Sequence, residues 1–175
     1  MRITGGYLRG RQLKLPPLPG VRPTTDRARE SLFNWLSNQI DFEGLTVTEL
    51  FAGTGMVSFE FISRGCPAAT CVEILPACCR HITNVARSWE APLSVVCEDA
   101  FNYIPVAGAA GLVFADPPYR LSWLHTLPER IFRSDLLKNG GLLVLEHDRM
   151  HNFEGTSGHR ESRRYGEGVF SIFEA

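Results

Sequence analysis

The sequence lacks the features that mark membrane-spanning, exported and disulfide-stabilised chains. None of its apolar stretches approaches the ~18 residues that a bilayer-spanning helix requires, and its first residues have no apolar run typical of a signal peptide. It contains five cysteines, an odd number, and no C-x-x-C pair, so we expect reduced thiols rather than disulfide bonds. These absences predict a cytoplasmic protein with no membrane contact.

Repeats, low-complexity segments and metal-ligand patterns are also missing. No group of histidine, cysteine and aspartate residues has the spacing of metal ligands, so we expect no metal site. The chain has 175 residues, of which 44% are hydrophobic, and this size favours one domain with a substantial core. We expect that domain to span residues 1–175, with a basic N-terminal extension over residues 1–24 and a core over residues 25–175.

Net charge is nearly absent, at −1 for the whole chain, but the charges are unevenly distributed. Residues 1–30 contain seven basic and two acidic side chains, a net charge of +5, whereas the remaining residues carry a net charge of −6. A local excess of arginine is typical of a surface that binds a polyanion. A solvated charged face would have the same composition, so this feature alone leaves both interpretations open.

Strand-like and helix-like segments alternate along most of the chain. Helices are predicted over residues 26–37, 56–63, 76–89, 99–104 and 121–137, and strands over residues 45–51, 69–73, 93–97, 111–115, 141–146, 159–165 and 168–173. Continuous apolar strands separated by helices are typical of a parallel sheet covered on both faces. The last two strands have no helix between them, which favours an antiparallel hairpin at one edge. The predicted fold is a seven-stranded, mostly parallel α/β sheet.

A glycine turn, Glu49-Leu50-Phe51-Ala52-Gly53-Thr54-Gly55, includes the end of the first predicted strand. Glycine lets the backbone turn tightly and approach a ligand closely. Ser58 stands where a dinucleotide fingerprint would have its third glycine or alanine, and the turn has no Lys-Ser/Thr pair of a phosphate-binding loop. A cofactor without phosphate groups, such as S-adenosylmethionine, therefore fits this turn better than a nucleotide.

Carboxylates follow the second and third predicted strands. Glu73 can accept hydrogen bonds from both hydroxyls of a ribose, although a glutamate before a proline-started helix also suits the helix dipole. Asp99 can accept a hydrogen bond from an adenine amino group, and it can also cap the next helix. Because ligands of open α/β sheets bind beyond the carboxyl ends of the strands, we expect both carboxylates at one site.

The sequence Asp116-Pro117-Pro118-Tyr119 follows the fourth predicted strand and is the most specific signal. The two prolines remove two backbone donors and hold carbonyl acceptors in a rigid array. An exocyclic amino group of a base could donate hydrogen bonds to the Asp116 carboxylate and the Pro117 carbonyl. The ring of Tyr119 offers a face on which a planar base can stack. This arrangement predicts chemistry at an amino nitrogen.

Taken together, these motifs resemble the bacterial small-subunit ribosomal RNA guanine-N2 methyltransferase family, within the Rossmann-like class I methyltransferases. The similarity runs from Met1 nearly to the end of the chain. It is carried by residues 1–6 with Arg9-Gly10-Arg11, by residues 22–30 (RPTTDRARE), by the glycine turn and by residues 116–119. Residues 22–30 are the family-specific part, because D-P-P-Y also occurs in DNA adenine methyltransferases. In this family an aspartate usually stands where this chain has Glu49, near the methionine end of the cofactor.

The resemblance implies methyl transfer from S-adenosylmethionine to N2 of one guanine in ribosomal RNA, within a small ribosomal subunit or its assembly intermediate. The implied catalytic residues are Asp116, Pro117, Pro118 and Tyr119. The implied cofactor-binding residues are Glu49, Phe51, Ala52, Gly53, Thr54, Gly55, Glu73, Ile74, Asp99 and Ala100. The implied RNA-binding residues are Arg2, Arg9, Arg11, Arg22, Thr24, Arg27 and Arg29.

Two other functions remain open at this point. A DNA adenine-N6 methyltransferase would use the same D-P-P-Y sequence, but 175 residues leave little room for a target-recognition insert. A non-catalytic RNA-binding factor for ribosome assembly would retain the fold without the reaction, and the intact residues 116–119 argue against it.

Overall fold

The described part of the chain comprises residues 1–13, 25–166 and 168–175 of a computed structural model. These residues form five α-helices, two 3-10 turns and one seven-stranded sheet. The helices are α1 (Asp26–Leu36), α2 (Met56–Ser63), α3 (Pro76–Trp89), α4 (Ala100–Tyr103) and α5 (Leu127–Phe132). The strands are β1 (Thr46–Leu50), β2 (Ala68–Glu73), β3 (Leu93–Cys97), β4 (Ala110–Ala115), β5 (Leu137–His147), β6 (His159–Tyr165) and β7 (Gly168–Glu174). The 3-10 turns are Ile104–Val106 and Leu124–Thr126.

The strand order in the sheet is β3-β2-β1-β4-β5-β7-β6. Neighbours from β3 to β5 pair in parallel, whereas β7 pairs antiparallel with both β5 and β6. The predicted seven-stranded, mostly parallel sheet with a terminal hairpin is therefore confirmed. The strand order reverses between β1 and β4, and such a reversal opens a crevice at the carboxyl ends of the two strands.

Alternate residues of the central strands pack on opposite faces of the sheet. Leu112 and Phe114 of β4 join one buried cluster with side chains of α1 and α2. Val113 and Ala115 join a second cluster with side chains of α4 and α5. Complete burial of one large aliphatic or aromatic side chain contributes roughly 1.5–3 kcal/mol. The two clusters thus hold the sheet between helical layers and fix the direction in which each strand-end side chain points.

The first residues of the chain pack against the same body. Ile3, Leu8 and Leu13 are buried in a third cluster that also contains side chains of α2 and α3. The backbone N–H groups of Thr4 and Gly5 both donate to the Glu60 carboxylate of α2, at 2.9 Å each. Residues 1–13 are therefore anchored by apolar burial and by hydrogen bonds to a buried carboxylate.

One predicted helix is wrong in extent. A helix was expected over residues 121–137, but the structure has the 3-10 turn Leu124–Thr126, the short α5 and the start of β5 at Leu137. Pro128 in the first turn of α5 has no N–H to continue a helix from the preceding turn. Ser134 ends α5 because its hydroxyl donates to the Ile131 carbonyl and accepts from the Leu136 N–H. Across the described ranges, no helix has the length and apolar character needed to cross a bilayer.

Candidate active site

A cavity of about 810 Å³ opens at the carboxyl ends of the parallel strands. All four predicted catalytic residues and every predicted cofactor residue except Gly55 line it. Residues of α1 and the turn between β6 and β7 form the wall beside β5. The sheet topology thus brings together side chains that are far apart in sequence.

The glycine turn after β1 has an unusual backbone. Phe51, Gly53 and Gly55 have φ angles of 58°, 54° and 71°, in the left-handed region that glycine tolerates and phenylalanine rarely adopts. A Cβ atom on Gly55 would also lie 3.1 Å from the Ile82 side chain and 3.3 Å from the Cys71 sulfur. Gly55 is therefore required for close packing of the turn against Ile82 and Cys71. Gly53 and Thr54 instead line the cavity.

Glu73 lies at the end of β2 and is held by two backbone donors. Its Oε2 accepts from the Gly53 N–H at 2.8 Å, and its Oε1 accepts from the Leu75 N–H at 2.8 Å. Each carboxylate oxygen has a further lone pair, so both oxygens can also accept from a ligand hydroxyl. The two N–H bonds orient the carboxylate and link it directly to the glycine turn.

The residues that follow β2 and β3 form the other side of this part of the cavity. The Asp99 carboxylate accepts from the Phe101 N–H at 2.8 Å and so caps α4. Ile74 keeps 58% of its surface exposed at the cavity wall. An apolar side chain that remains exposed beside a polar cap is suited to contact with a planar ring.

Glu49 of β1 is buried at the inner wall. It accepts from the Ser58 N–H at 2.8 Å, and the Cys71 thiol lies 3.7 Å from the same oxygen. Burial raises the pKa of the Glu49 carboxyl to about 7. A carboxyl with this pKa changes its charge readily near neutral pH, so its charge can respond to a cation that enters the cavity.

Asp116 and Tyr119 stand where β4 leaves the sheet. Both are partly buried and line the cavity together with Pro117 and Pro118. The Pro118 carbonyl accepts from the Leu121 N–H at 2.9 Å and closes the turn. The carboxylate, the proline carbonyls and the tyrosine ring are therefore presented on a short, tightly closed segment.

Glu146 of β5 is a cavity residue that sequence reasoning missed. It is buried, with 6% of its surface exposed, and lines the cavity beside Asp116. The signal was present, because Glu146 directly follows an apolar run in the sequence, as Asp116 does. It was overlooked because no motif surrounds it.

The predicted RNA-binding arginines divide into two groups. Arg2, Arg9, Arg11 and Arg27 are exposed. Arg29 is instead fully buried, with ion pairs to Asp26 and Glu60 and a hydrogen bond to the Arg2 carbonyl. Its position corrects the expectation that it faces RNA phosphates, because a guanidinium that is fully buried and paired with two carboxylates is not presented at the surface. Arg22 and Thr24 lie outside the described residues.

Comparison with known proteins decides the family. A family model described as Conserved hypothetical protein 95 matches residues 1–174. Ribosomal RNA small subunit methyltransferase D of Escherichia coli strain K12 is 37% identical over 149 residues, which cover 83% of this chain and 74% of that protein. The chain belongs to this methyltransferase family. The family predicted from the motifs is thereby confirmed.

Solved structures agree with this assignment. A hypothetical protein from Thermus thermophilus is 30% identical, with a TM-score of 0.86 and coverage of 100% of this chain and 99% of that chain. An RNA methyltransferase from Salinibacter ruber, solved with S-adenosyl-L-homocysteine, has a TM-score of 0.69 at 15% identity and covers 87% of this chain and 93% of that chain. The second similarity, at 15% identity, shows the fold alone, and it agrees with the predicted Rossmann-like α/β fold.

No group of three or more His, Cys, Asp or Glu side chains suited to a metal ion occurs among residues 1–13, 25–166 and 168–175. The carboxylates of the cavity instead accept backbone N–H bonds, as Glu49 and Glu73 do.

Proposed function

We propose that this protein transfers a methyl group from S-adenosylmethionine to N2 of a guanine in small-subunit ribosomal RNA. The observation that carries the proposal is the position of Asp116, Pro117 and Tyr119 on the wall of a strand-end cavity. The family relatives support the RNA substrate, since the E. coli relative is a ribosomal RNA small subunit methyltransferase. The wider fold class supports the cofactor.

The cavity residues near β1, β2 and β3 fit S-adenosylmethionine. Glu73 is oriented by two N–H donors and retains lone pairs for ribose hydroxyls. Ile74 offers an apolar surface for adenine, and Asp99 follows β3 on the same wall. The cavity volume of about 810 Å³ lies within the usual range for cofactor sites. When bound, this cofactor supplies an electrophilic methyl group on a sulfonium.

The residues after β4 hold the guanine N2 amino group, which is the nucleophile of the reaction. The lone pair of a guanine amino group is delocalised into the ring, so the free amine is a poor nucleophile. Hydrogen bonds from N2 to the Asp116 carboxylate and the Pro117 carbonyl favour the pyramidal, reactive form of the amine. N2 gains a bond to the methyl carbon and loses one proton, and we assign the Asp116 carboxylate as the group that takes up this proton. The cofactor would be left as a neutral thioether, because its sulfur–methyl bond breaks. Most of the rate enhancement then comes from positioning.

The guanine must leave its base stack to reach this wall. A base inside a helix cannot present its N2 to a protein cavity, so the target is unpaired or flipped out. Stacking on Tyr119 compensates part of the lost base stacking. The substrate is therefore an accessible guanine in a small subunit or an assembly intermediate.

Replacement of Asp116 tests this reaction. Asp116→Ala and Asp116→Asn should lower the rate on the order of 10²–10³-fold, by analogy with the removal of an oriented hydrogen-bonding group at a reacting centre. The assay follows labelled methyl groups from S-adenosylmethionine into small subunits from a strain that lacks the gene. Nuclease digestion and mass spectrometry then identify the modified nucleoside as N2-methylguanosine.

Asp135→Ala is the matched control, because Asp135 is an exposed aspartate just before β5, away from the cavity. All variants should bind S-adenosylmethionine as the parent does when measured by calorimetry. Methylation by Asp116→Ala at the parental rate would remove residues 116–119 from the active site. Methylation of an adenine instead of a guanine would replace the proposed substrate.

A further inference from the structure

The ends of β4 and β5 place two carboxylates side by side in the cavity. The two strands are parallel neighbours, and Phe114 pairs with Val144 and Ala115 with Leu145. The next residues are Asp116 and Glu146, and both line the cavity. Adjacent strands in a sheet lie about 4.8 Å apart, so these two acidic residues are close neighbours, with Asp116 just past the end of β4 and Glu146 within β5.

Both side chains also belong to the same face of the sheet. Successive side chains of a strand alternate between faces, and Phe114 and Val144 share the buried cluster that contains α1 and α2. Asp116 and Glu146 lie two residues further along each strand and so continue this face. Glu146 is the more buried of the two, with 6% of its surface exposed.

Gly168, the first residue of β7, leaves room beside the Glu146 carboxylate. A Cβ atom at Gly168 would lie 3.2 Å from the Glu146 Oε1, a distance tighter than most Cβ contacts. Gly168 and Tyr165 both line the cavity. The absence of a side chain at Gly168 therefore leaves space beside the Glu146 Oε1.

We infer that Glu146 binds the N1–H of the target guanine and selects guanine over bases that lack this donor. This inference rests on the proposed function, in which Asp116 holds the adjacent N2 amino group. The Watson–Crick edge of guanine presents N1–H and N2–H donors next to each other, and enzymes read a flipped base at this edge. Ionised carboxylates only accept hydrogen bonds, so two neighbouring carboxylates complement two neighbouring donors.

The same arrangement rejects adenine and its analogues. Adenine and 2-aminopurine have a lone pair at N1, which would face the Glu146 carboxylate without a hydrogen between them. A site built to accept from a substrate N–H discriminates strongly against an analogue that lacks it, because an acceptor oxygen then faces a substrate lone pair with no hydrogen to share. 2-Aminopurine is the informative probe, since it retains the reacting amino group at C2 and lacks only the N1–H and O6.

The experiment compares guanine with 2-aminopurine at the mapped target position. Small subunits are reconstituted with ribosomal RNA that carries either base, and methyl transfer is measured under single-turnover conditions. The parent protein should prefer guanine by about 10²-fold or more. Glu146→Gln should reduce transfer to guanine by about 10–100-fold. Its preference for guanine should fall at least tenfold, because the glutamine amide can donate to N1 of 2-aminopurine.

Glu129→Gln is the matched control, because Glu129 is exposed in α5 and paired with Arg133. It should leave the base preference unchanged, and all variants should bind S-adenosylmethionine equally. Equal transfer to both bases by the parent would overturn the inference even if Glu146→Gln does not fold, as would an unchanged preference in a folded Glu146→Gln. In either case, parental N2-methylation of natural subunits would leave the proposed function intact. Failure of the parent to methylate guanine in natural subunits would overturn the proposed function itself.

Discussion

Three buried glutamates in the cavity have different bonding, which fits the different task that we propose for each. Glu73 accepts two backbone N–H groups that orient it. Glu49 accepts from the Ser58 N–H, and burial raises its pKa to about 7. Glu146 lies beside Asp116 at the ends of β4 and β5. We therefore propose that Glu73 binds the cofactor, that Glu49 changes its charge near neutral pH and that Glu146 selects the base.

Replacement of Glu73 should weaken cofactor binding. In Glu73→Ala two ribose hydroxyls lose a charged acceptor, which costs about 1–3 kcal/mol. The dissociation constant of S-adenosylmethionine, measured by calorimetry, should rise by roughly 5- to 150-fold. In Glu73→Ala the Gly53 and Leu75 N–H groups also lose their acceptor. Glu73→Gln is therefore measured as a second variant. The glutamine retains one acceptor oxygen and should have an intermediate effect. Unchanged affinity in both folded variants would exclude Glu73 from the cofactor site.

Glu49 should make the protein less stable as the pH rises. Burial raises the pKa of its carboxyl in the folded state above the ordinary value of 4.5, to about 7. The folded state therefore binds more protons than the unfolded state between these values. The free energy of unfolding should fall as the pH rises through this window, by at most about 3 kcal/mol for a shift of this size. Well above pH 7 the carboxylate is charged in both states and the loss is complete.

Glu49→Gln is the matched variant for this effect, because it keeps the shape and cannot ionise. Urea unfolding of the parent and the variant at pH 5.5 and 8.5 gives the difference in pH dependence. Burial lowers the pKa of His147, which acts in the opposite direction, but this contribution is common to both proteins and cancels in the difference. Parallel stability curves for the two proteins would show that Glu49 has an ordinary pKa.

At the scale of elements, local signals predicted most of the sheet and helices. The bounds of α2 and α3 follow from a glycine turn before α2, Gly65 after it and Pro76 in the first turn of α3. The prediction of one helix over residues 121–137 was wrong, because the spacing of apolar residues does not distinguish α5 from the turns around it. Hydrogen bonds of Ser134 end α5, and such bonds compete with helix formation in a way that the spacing cannot show.

Long-range contacts account for what local signals missed at the site. The glycine turn, Glu73 and Asp116 were predictable because each follows a strand, and parallel strand ends converge. Arg29 looked like one more basic residue of a charged segment. Its burial depends on Glu60, an acidic residue of α2 that the fold brings against it. The position of Glu146 next to Asp116 became visible only through the pairing of β4 with β5.

At the scale of the whole molecule, charge is separated along the chain. Residues 1–30 carry a net charge of +5, and the rest of the chain carries −6. Arg9 and Arg11 are exposed on the segment that Ile3, Leu8 and Leu13 anchor to α2 and α3. A cationic segment held on a rigid body presents its charges at defined positions, which suits contact with the phosphates of folded RNA.

This separation predicts how RNA binding depends on salt. Each phosphate contact contributes roughly 0.7–0.9 to the slope of log affinity against log salt concentration. If Arg9 and Arg11 each meet a phosphate, the double variant Arg9→Ala/Arg11→Ala should reduce the steepness of the slope by about 1–2 units. Binding to small subunits from the gene-deleted strain, titrated over a range of salt concentrations, gives the slope. The affinity for S-adenosylmethionine should not change, because neither arginine lines the cavity.

The control must remove the same charge elsewhere. Arg133→Ala/Arg160→Ala lowers the net charge by the same amount, at two arginines paired with Glu129 and Glu174 on α5 and β7. If binding depended only on net charge, both double variants would flatten the slope equally. If the anchored N-terminal segment contacts the RNA, only the Arg9/Arg11 variant should do so. An unaltered slope in the Arg9/Arg11 variant would mean that these arginines face solvent in the complex, and the RNA-binding surface would have to lie on another part of the molecule.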